Sequence, residues 1–411
     1  MKDEFYRIKR LPPYVFAEVN RLKANFRSKG VDIIDFGMGN PDMDTPKHII
    51  SKLIETVKKP RTHKYSASKG ITGLRKAQSD YYKRRFNVDL DPETEVIATL
   101  GSKEGLANLA MAITGPGDVM LVPNPSYPIH PYGFMIAGGT LRHIPTLYDG
   151  KFDPEEYLKT LHRAVLHSVP KPVALVISFP SNPTAQLCDL EFYKDVVAFA
   201  KKNELWILSD LAYAEIYYNN SPPPSILQIK NAKDVAVEFT SLSKTFSMPG
   251  WRMGFAVGNK KLIDALTRIK SYLDYGAFTP IQVAASAALN GDNKCISEIR
   301  ETYKKRRDIL INSMSRIGWE IPSPNATMFA WAPIPKKFSK IGSMDFSKIL
   351  LNEASVAVSP GIGFGEYGEG FVRLSLVENE HRIRQAARGI KKIFQNSDFY
   401  LDKFLSENQT N

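Results

Sequence analysis

Lys244 stands in the run Ser241-Leu-Ser-Lys244-Thr-Phe-Ser-Met-Pro-Gly250-Trp-Arg252-Met-Gly254, with a hydroxyl three residues before it and a guanidinium eight residues after it. An amine able to act as a nucleophile, beside a fixed guanidinium and hydroxyl donors, suits a phosphate next to an aldehyde. Asp210 and Tyr213, in Ser209-Asp-Leu-Ala-Tyr213, add a carboxylate and a phenol. An acid at the end of a buried strand cannot solvate its charge, so it needs a cationic partner from a ligand or a side chain, and a pyridinium would serve. The bland alternative is that Asp210 caps a following helix. Asn182, in Phe179-Pro-Ser-Asn182-Pro-Thr184, offers an amide able to donate to an oxyanion. Thr99-Leu-Gly101-Ser102-Lys103-Glu104-Gly105 reads as a strand, a glycine and a helix start. The free N–H groups and dipole of such a start hold phosphate.

Each of these four groups follows a short β-rich run. Between Val96 and Val257 the runs Val96–Leu100, Val119–Val122, Ala174–Phe179, Trp206–Ser209, Val235–Thr240 and Gly254–Val257 alternate with helical patterns. Several are apolar without strict alternation, as strands covered on both faces are. The expectation is an α/β domain whose mostly parallel sheet carries helices above and below, including Glu191–Lys202 and Lys261–Leu273. Ligands of such sheets bind beyond the strand ends, where the four groups lie. After Ile281 the pattern turns to long helices, a mixed stretch at 327–332, a strand at 371–376 and a last helix from His381 to about Phe394, which predicts a smaller α+β unit. The division expected is an arm over 1–40 that packs on the small domain or a partner subunit, a large domain over 41–285 and a small C-terminal domain over 286–411.

Composition narrows the function. The chain has 411 residues, 43% apolar and 24% charged, so it can build a sizeable core. Its net charge of +12 is scattered, and the cluster Lys304-Lys305-Arg306-Arg307 falls in a helical pattern, which predicts a solvated face rather than a nucleic-acid surface. Cys188 and Cys295 are the only cysteines and lie far apart, so neither a disulfide framework nor a zinc site is expected, and a reducing cytoplasm fits. Residues Met1 to Arg10 lack the apolar core of a signal peptide, and no apolar run nears the ~18 residues of a membrane span.

Taken together, the motifs resemble the class I/II aminotransferases, the fold type I pyridoxal-phosphate enzymes. The resemblance runs over nearly the whole chain: Gly37-Met-Gly39-Asn-Pro-Asp42, the Gly101 turn, Asn124-Pro-Ser-Tyr127-Pro, Ser-Asn182-Pro-Thr, Asp210-x-x-Tyr213, Ser-x-Ser-Lys244 with Arg252 eight residues on, and Arg373-Leu-Ser375. Any one of these is weak, whereas seven in the right order are specific. Within the family the look is nearest to the glutamate–pyruvate (alanine) group, then to LL-diaminopimelate aminotransferases.

The resemblance implies pyridoxal 5′-phosphate as cofactor and a role for each matching residue. Lys244 would tether the aldehyde and then shuttle the substrate α-proton, which requires a neutral amine and hence a pKa lowered by burial and nearby cations. Asp210 would pair with the pyridine nitrogen, Asn182 and Tyr213 would bond the ring oxygen, and Tyr127 would stack on the ring. Ser102, Lys103, Ser241 and Arg252 would hold the phosphate, Lys103 more through its backbone than its ammonium. Tyr65, in His63-Lys-Tyr65-Ser, matches a tyrosine that reaches the phosphate from the neighbouring subunit, which implies a homodimer with shared sites. Arg373 would clamp the substrate α-carboxylate with its planar fork, helped by Asn182 and the backbone near Gly39. Pro125 and Pro183 match prolines that follow cis bonds.

Three further expectations concern selectivity. Relatives often have glycine where this chain reads Pro324-Asn325-Ala326-Thr327-Met328-Phe329, near the substrate side chain. Tyr275, Gly276 and Phe278 form a second expected wall. No obvious second arginine serves a distal carboxylate, with Arg21, Arg27 and Arg61 left open. Gly363-Phe-Gly365-Glu-Tyr-Gly368 is not read as a dinucleotide fingerprint, because a strand and not a helix follows it. The resulting expectation is ping-pong transamination, best with alanine/pyruvate and glutamate/2-oxoglutarate. LL-diaminopimelate, aspartate or aromatic transamination and a C–S lyase on the same fold are the alternatives. A ligand-sensing regulator on an idle aminotransferase domain is disfavoured, since no DNA-binding module fits before the arm.

Overall fold

The computed structural model describes residues 5–13 and 15–409; Met1 to Glu4 and Tyr14 of the expected arm, and the last two residues, lie outside the described residues. Its centre is a seven-stranded sheet: β1 (Val96–Thr99), β2 (Val119–Asn124), β3 (Thr140–Pro145), β4 (Pro172–Ile177), β5 (Trp206–Asp210), β6 (Ala236–Ser241) and β7 (Gly254–Gly258). The spatial order is β1-β7-β6-β5-β4-β2-β3, with every pairing parallel except the two made by β7. Reversing β7 alone brings its first residue, Gly254, beside Ser241 at the end of β6 and Thr99 at the end of β1.

The apolar runs are buried because successive side chains enter two different cores. Val176, Leu208 and Val237 pack with Leu106, Leu109 and Leu266 of helices Ser102–Ile113 and Lys260–Leu273. Their neighbours Leu175, Ile207 and Ala236 pack with Leu74, Tyr82 and Val196 of helices Thr72–Phe86 and Leu190–Asn203 on the other face. β3 was not expected from the sequence. It is the edge strand beside β2, its residues Thr-Leu-Arg-His-Ile-Pro are mostly half-exposed, and it therefore lacks the continuous apolar signal of the inner strands.

A separate core gathers the antiparallel strands Phe329–Pro333, Phe371–Ser375 and Ser359–Pro360 with helices Lys294–Ser315, Gly342–Ala354 and Glu380–Gln395. Ile34 and Phe36 join it, and Ile34–Asp35 pairs in parallel with Val356–Ala357. Helix Val15–Ser28 lies against Gly342–Ala354, where Glu18 and Lys348 pair at 2.9 Å. This helix of the N-terminal segment thus packs on the C-terminal unit, whereas Arg10 ahead of it donates to Gly139 O, beside β3 of the large sheet, at 2.7 Å. The last helix expected runs Glu380–Gln395, and a further one, Ser397–Gln409, follows it. Among the described residues, no helix is long and apolar enough to cross a membrane.

Candidate active site

A cavity of about 430 Å³ opens where the carboxyl ends of β1, β2, β4, β5 and β6 meet the start of β7, and the second core closes its other side. Local sequence explains how each group reaches it. After β6, the Ser241 hydroxyl accepts the Ser243 N–H at 3.2 Å and starts the four-residue helix Leu242–Thr245, which carries Lys244 into the cavity. The Lys244 Nζ donates to Gly39 O at 3.3 Å. Burial, then the Arg373 and Arg252 charges, push its pKa down to about 8, the direction expected from the sequence.

Asp210 ends β5 and is buried. No helix follows it, so the capping alternative falls away, although Oδ1 accepts the Ala212 N–H at 3.2 Å. Its Oδ2 lies 2.9 Å from Nε2 of His130, a fully buried residue on helix Ile129–Ala137. Sequence reasoning missed His130; the available signal was a histidine three residues after Tyr127, at the start of the following helix. Tyr213 lines the cavity, and burial holds its phenol far above the ordinary range, so it stays a protonated donor. Tyr127 lines the same wall, with the Lys103 Nζ 5.8 Å from its ring centre.

Asn182 is held by its own loop, where the Ser181 N–H donates to Gln186 O at 3.0 Å and the Gln186 N–H donates to the Ser181 hydroxyl at 2.9 Å. The Asn182 Oδ1 accepts Arg373 Nη1 at 2.8 Å. Arg373 projects from the central strand of the small antiparallel sheet, between the rings of Phe329 and Phe364 at 4.1 and 4.7 Å, and also donates to Gly37 O at 3.1 Å. A Cβ on Gly39 would come within 2.8 Å of the Phe329 ring, so the glycine allows the backbone to approach Arg373.

Ser102 and Lys103 open helix Ser102–Ile113 and line the cavity with Ser241 and Arg252. Arg252 has a left-handed backbone (φ 53°) and donates to Pro249 O at 2.8 Å and Leu100 O at 3.2 Å, which lays its guanidinium across the Gly101 turn. A Cβ on Gly101 would strike that guanidinium, and one on Gly254 would lie 2.8 Å from the Ser102 nitrogen. Free helix N–H groups, two hydroxyls and a guanidinium form an anion cradle. With a lowered-pKa lysine at one side and a buried carboxylate behind, the donor set fits a phosphorylated pyridine aldehyde.

All the anticipated site residues line this cavity except Tyr65, which is 85% exposed, its ring tilted against that of Tyr275 with centres 4.6 Å apart. Tyr275, Gly276 and Phe278 are likewise not among the lining residues of this chain, nor are Pro324 to Met328; only Phe329 of that loop reaches it. Thr327 takes a left-handed conformation (φ 65°), the kind of backbone that glycine adopts freely. Pro125 and Pro183 follow cis bonds as anticipated, and Pro170 and Pro180 do as well. The segment 363–368 forms two 3-10 turns before strand Phe371–Ser375, in keeping with its rejection as a dinucleotide motif.

Comparison with known proteins adds an independent view. The family described as aminotransferase class I and II matches residues 31–390. A Rhizobium meliloti protein that carries the provisional name aminotransferase AatC is 63% identical, with 99% of each chain covered. The glutamate-pyruvate aminotransferase AlaC of Escherichia coli is 54% identical over 95% of this chain and 94% of its own. An LL-diaminopimelate aminotransferase of Aquifex aeolicus is 44% identical over 94% and 98%. Among solved structures, substrate-bound BacF from Bacillus subtilis superposes with a TM-score of 0.88 at 34% identity, covering 96% of this chain and 98% of that one.

Proposed function

Because the chain belongs to the class I and II aminotransferases, which work with pyridoxal 5′-phosphate, we propose that it exchanges amino groups between the alanine/pyruvate and glutamate/2-oxoglutarate pairs in a ping-pong cycle. The observation that carries the proposal is the meeting of Lys244, Asp210, Asn182 and Arg373 on one cavity. The 54% identity to the glutamate-pyruvate enzyme favours this substrate pair. The LL-diaminopimelate enzymes, at 44% for one of them, supply the second reading.

When bound, the cofactor supplies an aldehyde that captures amines and a ring that accepts electrons from the substrate α-carbon. The protein does the rest. Arg373 binds the substrate α-carboxylate through its Nη atoms, and its bond to Asn182 Oδ1 leaves the Asn182 Nδ2 to donate. Lys244 Nζ takes the proton from the substrate α-carbon and later returns one, which its lowered pKa permits near neutral pH. Asp210, held by His130, would pair with the ring nitrogen. Tyr213 would donate to the ring oxygen and Tyr127 would cover the ring face. Ser102, the backbone at Lys103, Ser241 and Arg252 would hold the phosphate.

In the same reading the protein is a cytoplasmic homodimer, and Tyr65 serves the phosphate of the second copy. Support comes from an exposed apolar face formed by Tyr65, Tyr272, Leu273 and Tyr275, of which Tyr65 and Tyr272 are each 85% exposed. A matrix of amino acids against oxo acids, read by cofactor absorbance and product release, tests the substrate assignment. Alanine should release pyruvate, and 2-oxoglutarate should restore the starting spectrum. A spectrum unmoved by alanine but moved by LL-diaminopimelate would select the second reading.

A further inference from the structure

Lys23 is a buried ammonium that the residues described above leave without a task. It lies on helix Val15–Ser28, is 4% exposed and lines the same cavity as Lys244 and Arg373. Among the described residues its Nζ makes one hydrogen bond, to Asp35 Oδ2 at 3.0 Å. An ammonium has three donors, and the two that Asp35 does not take are available to a water or a ligand in the cavity.

Asp35 does not depend on Lys23. The same oxygen accepts Arg27 Nη2 at 3.2 Å, while Oδ1 accepts the N–H groups of Gly37 at 3.0 Å and Met38 at 3.3 Å. Glu378, which accepts the Asp35 N–H, has its own cation in Arg382 at 3.8 Å. Lys23 can therefore turn toward an incoming anion without stranding a carboxylate. Gly37 links the two ends of the cavity wall: its N–H meets Asp35, beside Lys23, and its carbonyl accepts Arg373. One short turn thus steadies two cations on one cavity.

The rest of the helix face fits the same use. Phe16, Val19, Asn20 and Lys23 all line the cavity, and their spacing of three, four and seven residues places them on one side of the helix. The first two present apolar surface, and the last two present an amide and an ammonium. By contrast, Arg21, Arg27 and Arg61, the cations left open in the sequence, are exposed and do not line the cavity.

We propose that Asn20 and Lys23 form a subsite for the distal carboxylate of a five-carbon dicarboxylate, glutamate or 2-oxoglutarate, beside the apolar surface of Phe16 and Val19 that accepts the alanine methyl. The proposal rests on the transaminase reading above and names the residues that let one cavity take both side chains. Selectivity then resides in the N-terminal helix rather than in the 324–328 loop.

Binding of two probes to the holoenzyme by calorimetry tests it without turnover: glutarate, with carboxylates at both ends, and butyrate, with one. The wild type should bind glutarate at least tenfold more tightly than butyrate. Lys23→Met should erase that difference with butyrate affinity unchanged, and Lys23→Arg should retain it. Equal binding of the two probes by the wild type would overturn the subsite, even if no Lys23 variant folds. A Lys23→Met protein that loses both probes alike, or keeps the full preference, would overturn it too. Whether the wild type turns over alanine with 2-oxoglutarate is a separate readout, so failure of the substrate assignment is distinguishable from failure of the subsite.

Discussion

Nε2 of His130 sits 2.9 Å from Oδ2 of Asp210, with both side chains buried behind the cavity. The carboxylate is thereby aimed from the end of β5, its other oxygen held by the Ala212 N–H. Hydrogen bonds to charged groups contribute roughly 1.5–3 kcal/mol. His130→Ala should therefore lower kcat and cofactor retention by roughly 10- to 100-fold, and His130→Gln, which keeps a donor, should recover part of both. Dialysis against buffer followed by absorbance reads the retention, and equal retention in the Ala variant and wild type would count against the role.

The amine of Lys244 must be neutral to attack an aldehyde. Its folded pKa of about 8 lies below the ordinary 10.5, so protonation governs the reaction below pH 8 and ceases to matter above it. Cofactor capture by the cofactor-free protein should accelerate by about tenfold per pH unit below that midpoint and level off above it. Arg373→Gln removes one of the cations that depress the amine, so the midpoint should move to higher pH. Stopped-flow absorbance from about pH 6 to about pH 10 checks both directions. Lys244→Ala should keep the fold and still hold the cofactor through the phosphate cradle, while turnover falls by about 10⁴-fold or more.

Arg373 lies between two aromatic rings and donates to Asn182 and Gly37. A lysine there keeps the charge but loses the planar fork and the stacking. Arg373→Lys should raise KM for every amino and oxo acid by at least about tenfold, in line with the loss of one charged hydrogen bond. Steady-state kinetics with alanine and glutamate separately would show the effect on both; an effect confined to one substrate would argue against α-carboxylate binding.

Gly254 has no room for a methyl group, since a Cβ would lie 2.8 Å from the Ser102 nitrogen and 2.9 Å from the Thr240 carbonyl. All the close atoms are backbone, so relief requires moving β6 or the turn that follows β1. Gly254→Ala should cost about 1–3 kcal/mol or more of stability, and it should weaken phosphate binding at the Gly101 turn. Urea unfolding of the cofactor-free protein, with and without inorganic phosphate, measures the two effects together.

Much of this architecture was legible in the sequence because buried strands write continuous apolar runs. Those that end near Thr99, Ile177, Asp210 and Ser241 each lead directly into a reactive or polar group. β3 escaped because an edge strand with exposed polar residues follows no such pattern. Tyr65 stands apart from the cavity of its own chain.

The order of types along the chain, amine after β6, carboxylate at β5, amide after β4 and glycine after β1, determined the chemistry, because parallel strands deliver their ends to one edge. Tertiary structure alone decided what surrounds that chemistry. His130 reaches Asp210 across 80 residues of sequence, Arg373 reaches Asn182 across 191, and the helix carrying Lys23 folds back over the cavity. Such meetings depend on helix packing and on the reversal of β7, and local spacing carries no record of either.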